Sequence, residues 1–117
     1  MDKWKNIEIE DWGGTVSPQF KEFAKDFKAH IQKLLKPTGF KITKYSVNHY
    51  EVSGFAENEE TGKIIYFSVS DVRYFSKSWL NDILVRTATS TFDYTGGVNN
   101  FTTLEGFAGK VNAITRF

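Results

Sequence analysis

The sequence predicts an α+β fold: an antiparallel sheet of three to four strands with an N-terminal and a C-terminal helix packed on one face. Three observations carry this. Apolar residues recur at helical spacing across residues 17–36. Apolar and polar residues alternate through much of 40–70, interrupted by an acidic turn. A second helical stripe closes the chain across 103–116. Helices flanking an antiparallel run bury their stripes on one side of the sheet, as a two-layer sandwich.

Residues 1–16 read as a lead-in segment. Ile7 and Ile9 alternate with Glu8 and Glu10, as in a brief edge strand, until Asp11-Trp12-Gly13-Gly14 interrupts them. Ser17 suits a helix N-cap, because its hydroxyl accepts from a free first-turn amide. Pro18 fits the first helical position, where its missing N–H costs nothing. Phe20, Phe23, Ala24, Phe27, Ile31, Leu34 and Leu35 then line one face, and Pro37-Thr38-Gly39 ends the helix. Phe40 and Ile42 alternate with Lys41 and Thr43, and residues 49–70 read as a hairpin around the acidic stretch Glu57–Gly62. Gly54 inside a strand marks a bulge or a close backbone approach. Ile83–Ala88 is β-branched enough for a strand. Trp79, Leu80, Ile83 and Leu84 also fit helical spacing, and the strand is favoured. Residues 91–100 form a loop. Thr102 and Glu105 match a capping box for the last helix. That helix carries Leu104, Phe107, Ala108, Val111 and Ile114 on one face, while Gly106 and Gly109 weaken its propensity by up to about 1 kcal/mol each.

Residues 1–117 suit a single domain. Fifteen Lys+Arg balance fourteen Asp+Glu, and 16% of the chain is aromatic. The absence of cysteine excludes disulfides, thiolate metal sites and a cysteine nucleophile. Two histidines, His30 and His49, leave little for a zinc site or a histidine-based triad. No cofactor or metal is implied. No stretch is apolar enough to span a membrane. The opening Met-Asp-Lys-Trp-Lys has no apolar signal core, so the expected location is the cytoplasm.

No G-x-S-x-G, Walker or H-E-x-x-H motif occurs. Gly96-Gly97 lacks the following helix and lysine of a phosphate loop. His49, with Asp71, Asp93 or Glu51 as a carboxylate partner, is the one acid–base candidate. The charge distribution says more. Residues 17–48 hold seven lysines and two acids, +5, which leaves −4 for the remainder of a chain whose net charge is +1. Lys21, Lys25 and Lys28 fall in one sector of the first helix, a face able to steer an anionic partner such as nucleic acid. Tyr50, Tyr66 and Tyr74, with Arg73, are candidates for a partner-binding aromatic patch on any sheet face the helices leave open.

Asn48-His49-Tyr50, Val52-Ser53-Gly54-Phe55, Ile65-Tyr66-Phe67-Ser68, Asp71-Val72-Arg73, Leu84-Val85-Arg86-Thr87-Ala88 and Asp93-Tyr94-Thr95-Gly96-Gly97 with Asn99-Asn100 form a recognisable pattern. It resembles a set of small uncharacterised proteins of phages, plasmids and conjugative elements of Gram-positive bacteria, over residues from about 7 onward. The resemblance implies a binding protein rather than an enzyme, in a bacterial host cell. Some proteins of such elements are anti-CRISPR inhibitors that act by stoichiometric binding. It therefore implies a protein partner, such as a host defence nuclease of the Cas9 type. The expected contacts are Tyr50, Arg73, Tyr74, Arg86, Asp93, Tyr94 and Asn99, or the Lys21/Lys25/Lys28 face. The near-neutral charge argues against a strongly acidic DNA mimic. Two alternatives stay open: a nucleic-acid-binding accessory protein using the lysine face, and a small enzyme built around His49.

Overall fold

Ser17 opens the first helix as its chemistry requires. Its hydroxyl accepts from the Phe20 amide at 3.2 Å, and Pro18 begins the helix α1, Pro18–Leu35. The structure is a computed structural model and describes residues 1–93 and 97–116. The apolar stripe of α1 is fully buried at Phe20, Phe23, Phe27, Ile31 and Leu35. Gly39, at φ 83, turns the chain out of a short 3₁₀ turn into the sheet.

Among the described residues the sheet has five strands: β1 (Phe40–Asn48), β2 (Glu51–Asn58), β3 (Ile64–Val69), β4 (Ile83–Ala88) and β5 (Asn100–Thr102). Each pairs antiparallel with the next, in the order β1-β2-β3-β4-β5. This is one strand more than the upper limit read from the sequence. β5 is three residues long, too short for alternation to register. The β1–β2 hairpin escaped notice because its connection is only His49-Tyr50, without Gly or Pro. Asn48 pairs directly with Glu51, and His49 takes a left-handed φ of 59. Histidine is among the few non-glycine residues enriched there.

Val52, Ala56, Ile65, Phe67, Val69, Ile83 and Val85 join one core with the α1 stripe and with Phe107 and Val111 of the last helix, α3 (Phe107–Ile114). Alternation puts these strand residues on the inner face of the sheet, with Phe55, Tyr66, Leu84 and Arg86 on the outer face. Gly54 belongs to the inner row. A Cβ there would lie 2.6 Å from Cζ of Phe67 and 2.9 Å from the Lys44 carbonyl oxygen. Tyr45 stands opposite Gly54, and its ring meets Phe67 at 6.4 Å, so two aromatics close over the glycine. The register shift expected near this point sits in β1, between Ile42 and Lys44.

Three expectations are corrected. Residues 7–10 form no strand. Instead Asp2–Asn6 makes a 3₁₀ turn that buries Trp4 edge-on against Phe23, at 5.4 Å, with Nε1 donating to Asp26 at 3.0 Å. The Thr102–Glu105 capping box does not form. Thr102 is spent as the last residue of β5, and Thr103 Oγ1 accepts from the Gly106 amide at 3.0 Å before α3 begins. The helical spacing at Trp79 and Leu80, passed over in favour of a strand, is used after all. One helical turn, α2 (Ser78–Asn81), buries Trp79 against Phe23 at 5.6 Å, just ahead of β4. Among the described residues no helix is long and apolar enough to cross a membrane.

Candidate functional site

The residues singled out from sequence occupy three separate places. The first centres on Arg73, which follows β3. Its guanidinium donates to Asp71 through Nη2 at 2.7 Å and Nε at 3.1 Å, and to Asp11 through Nη1 at 2.9 Å. It lies between two rings, with its carbon 4.2 Å from the Tyr50 centroid and 4.8 Å from that of Tyr74. Tyr74 is exposed, as are Phe75 and Trp12. Tyr50 is fully buried and does not belong to an open aromatic face. Its hydroxyl accepts from the amides of Trp12 at 3.0 Å and Ser17 at 2.9 Å, and donates to the Thr15 carbonyl at 3.0 Å. Arg73 and Tyr50 thus fasten the lead-in segment to the domain.

Arg73 holds the Asp71 carboxyl below the ordinary carboxylate range, chiefly through its hydrogen bonds. Asp11 is lowered by the Gly13 amide first and by Arg73 second. The two carboxylates reciprocally raise Arg73. A carboxyl depressed in the folded state stabilises the fold above its ordinary pKa and loses that contribution as pH falls through the folded value. Stability followed by circular dichroism is therefore expected to decline as pH drops below about 4. Asp71→Asn should flatten that decline and lower stability at neutral pH.

His49 stands exposed on the β1–β2 turn with its ring edge-on to Tyr50 at 5.0 Å. One expected carboxylate partner, Asp71, is engaged by Arg73 at both oxygens. Asp93, a second, pairs across a turn with Ser90 after β4, and Glu51, the third, is exposed as the first residue of β2. Among the described residues no hydrogen bond or ion pair joins His49 to a carboxylate. Among the described residues no three His, Cys, Asp or Glu side chains gather as metal ligands would.

The second place is the outer face of the sheet. Arg86 of β4 sits beside Tyr66 of β3 and reaches the segment after residue 96. Nη1 donates to Asn99 Oδ1 at 2.7 Å, and Nη2 donates to the Gly97 carbonyl. Gly97 must be glycine, because a Cβ would come 2.4 Å from the Thr87 carbonyl oxygen. On the far side of the face, Lys44 of β1 donates to the Thr91 carbonyl at 3.3 Å and lies over the rings of Phe92 and Phe55, at 4.9 and 5.8 Å. Phe55 packs on Tyr66 at 5.0 Å. Two cations thus hold the β4–β5 connection onto the sheet. Phe92, Val98 and Phe101 remain 85%, 79% and 56% exposed. Asp93 is exposed as well. Tyr94, expected at this site, lies outside the described residues. Sequence reading missed Lys44, Phe92, Val98 and Phe101. The available signal was three large apolar residues within ten positions, two of them in the loop.

The third place is the lysine face. Lys21, Lys25 and Lys28 flank a groove floored by Ala24, Tyr45 and Val47. The Tyr45 hydroxyl donates to the Ala24 carbonyl at 2.8 Å, and burial pushes its pKa up, which keeps it a donor. Sequence reading identified the lysines but not this apolar floor, because β1 comes beside α1 only in the fold.

No family model, curated protein or solved structure matches this chain.

Proposed function

We propose that the chain is a non-enzymatic binding protein of mobile-element origin, acting in the bacterial cytoplasm as a stoichiometric inhibitor of a host defence nuclease through the outer face of its sheet. The exposure of Phe92, Val98 and Phe101 beside anchored residues Thr91, Gly97 and Asn99 carries the reading. Both helices are taken to pack on the inner face, which leaves the outer one to the partner. Large exposed apolar side chains on a fixed frame mark protein interfaces. Arg86 and Lys44 tie Asn99 and Thr91 to the sheet, which reduces the ordering cost of docking at those positions. From β1 to β5 the face spans about 19 Å, at about 4.8 Å per strand spacing, a width that suits a protein footprint. Arginine among aromatics is also the composition of interface hot spots.

The test is titration of the protein against purified host nucleases, with complex stoichiometry and plasmid cleavage as readouts. A 1:1 complex and inhibition complete at equimolar protein are expected. Phe101→Asp, at an exposed position, should weaken binding by about tenfold or more. Absence of binding and inhibition across the candidate nucleases would remove the proposal.

A further inference from the structure

We infer that the groove between α1 and β1 is a second docking site, one that takes an acidic, amphipathic peptide segment of a protein partner. It is distinct from the outer face, because Tyr45 and Val47 point to the opposite side of β1 from Lys44 and Phe55. Its volume is about 490 Å³.

The argument begins with how α1 distributes its charges. The helix has two acids, Glu22 and Asp26, and both are taken by the N-terminal turn. Lys3 Nζ lies 2.6 Å from Glu22 Oε1, and Trp4 donates to Asp26 at 3.0 Å. Lys21, Lys25 and Lys28 share another sector, where spacings of four and three make them neighbours. Among the described residues none of the three forms an ion pair. Three adjacent like charges repel one another, and carboxylates arriving on that face relieve the repulsion.

The floor decides which anion fits. Val47 is 46% exposed beside Tyr45, so apolar surface lies directly beneath the ammonium groups. A nucleobase needs an open ring face on which to stack. Here the Tyr45 ring is held by its hydrogen bond to Ala24, and Lys28 Nζ already sits 5.6 Å from its centroid. A leucine- or phenylalanine-sized side chain fills such a floor, with acidic residues one helical turn away meeting the lysines.

The experiment is fluorescence anisotropy with a labelled peptide of about 15 residues bearing Leu on one helical face and Glu on the other. Controls are a scrambled peptide of identical composition and single-stranded oligo(dT). The amphipathic peptide is expected to bind the full chain, and Lys21→Glu with Lys25→Glu and Lys28→Glu should weaken it by about tenfold or more. Val47→Asp, an independent and exposed change, should weaken it similarly, with cooperative thermal unfolding retained in both variants. Equal binding of the scrambled peptide, or indifference to both variants, overturns the proposal. Tighter binding of oligo(dT) with a steep salt dependence overturns it in favour of a nucleic-acid partner. Phe101→Asp should leave peptide binding unchanged, so this site and the outer-face reading can fail separately.

Discussion

Replacing Tyr50 by alanine is expected to cost about 3–5 kcal/mol, the usual range for removing a fully buried aromatic side chain. Domains of this kind are stable by only about 5–15 kcal/mol, so the variant should be close to unfolding. The ring lies 5.1 Å from that of Phe20 and supports Arg73 at 4.2 Å, so its loss opens both the core and the Arg73 centre. Tyr50→Phe separates the two contributions. It keeps the packing and removes one oxygen that serves the Trp12 and Ser17 amides and the Thr15 carbonyl. Ser17 is fully buried, so its amide finds no water in exchange. A loss of about 1–3 kcal/mol is expected for Tyr50→Phe. Chemical denaturation with an unchanged slope checks both values. A neutral Tyr50→Phe would show that the hydroxyl does not hold the lead-in segment.

Gly54→Val should destabilise by about 3 kcal/mol or more, at or beyond the upper end of overpacking costs. One neighbour of the new Cβ is the Phe67 ring, which has some freedom to turn. The other is the Lys44 carbonyl oxygen, 2.9 Å away, and backbone in a paired strand has little. The clash therefore has a part that side-chain repacking can relieve and a part that it cannot. Phe67→Leu combined with Gly54→Val should recover only the first, giving a double-mutant coupling smaller than the single-mutant loss. Full recovery would place all the strain on the ring.

The fold was most legible where one local rule acted alone. Ser17-Pro18 announced the start of α1, and the Phe20–Leu35 stripe announced its buried face. The β-branched and aromatic run Ile64-Ile65-Tyr66-Phe67, following an acidic turn, announced β3. Legibility failed where two signals competed. Thr102 is both a good cap and a good strand residue, and pairing with Ile83 decided for the strand. Trp79 and Leu80 fit helical spacing and Ile83–Ala88 fits a strand, and the chain uses both in succession. Sites were less legible than elements. Arg73 and Arg86 were both picked out, but nothing in their spacing told that one is enclosed by Asp11, Asp71 and two rings while the other pins a loop. Tyr50 was grouped with Tyr66 and Tyr74 because all three carry a hydroxyl at the end of an apolar ring, and nothing in the sequence told that its hydroxyl is taken by Trp12, Thr15 and Ser17. Lys21, Lys25 and Lys28 were visible as a stripe, whereas the apolar floor beneath them is made by residues about twenty positions away.

The order of the strands in the sheet is their order in the chain. No strand must wait for a distant partner, so the sheet can zip from one hairpin to the next. The two-residue β1–β2 connection and the short β2–β3 turn close first at little entropic cost. The longer β4–β5 connection costs only slightly more, because closure entropy grows with the logarithm of loop length. The sheet's own pairings are thus local, whereas Asp11–Arg73, Phe23–Trp79 and Phe67–Phe107 join residues 40 to 62 positions apart and close over the sheet afterwards. Refolding followed by stopped-flow tryptophan fluorescence should therefore take about milliseconds, between the ranges of helical bundles and all-β domains.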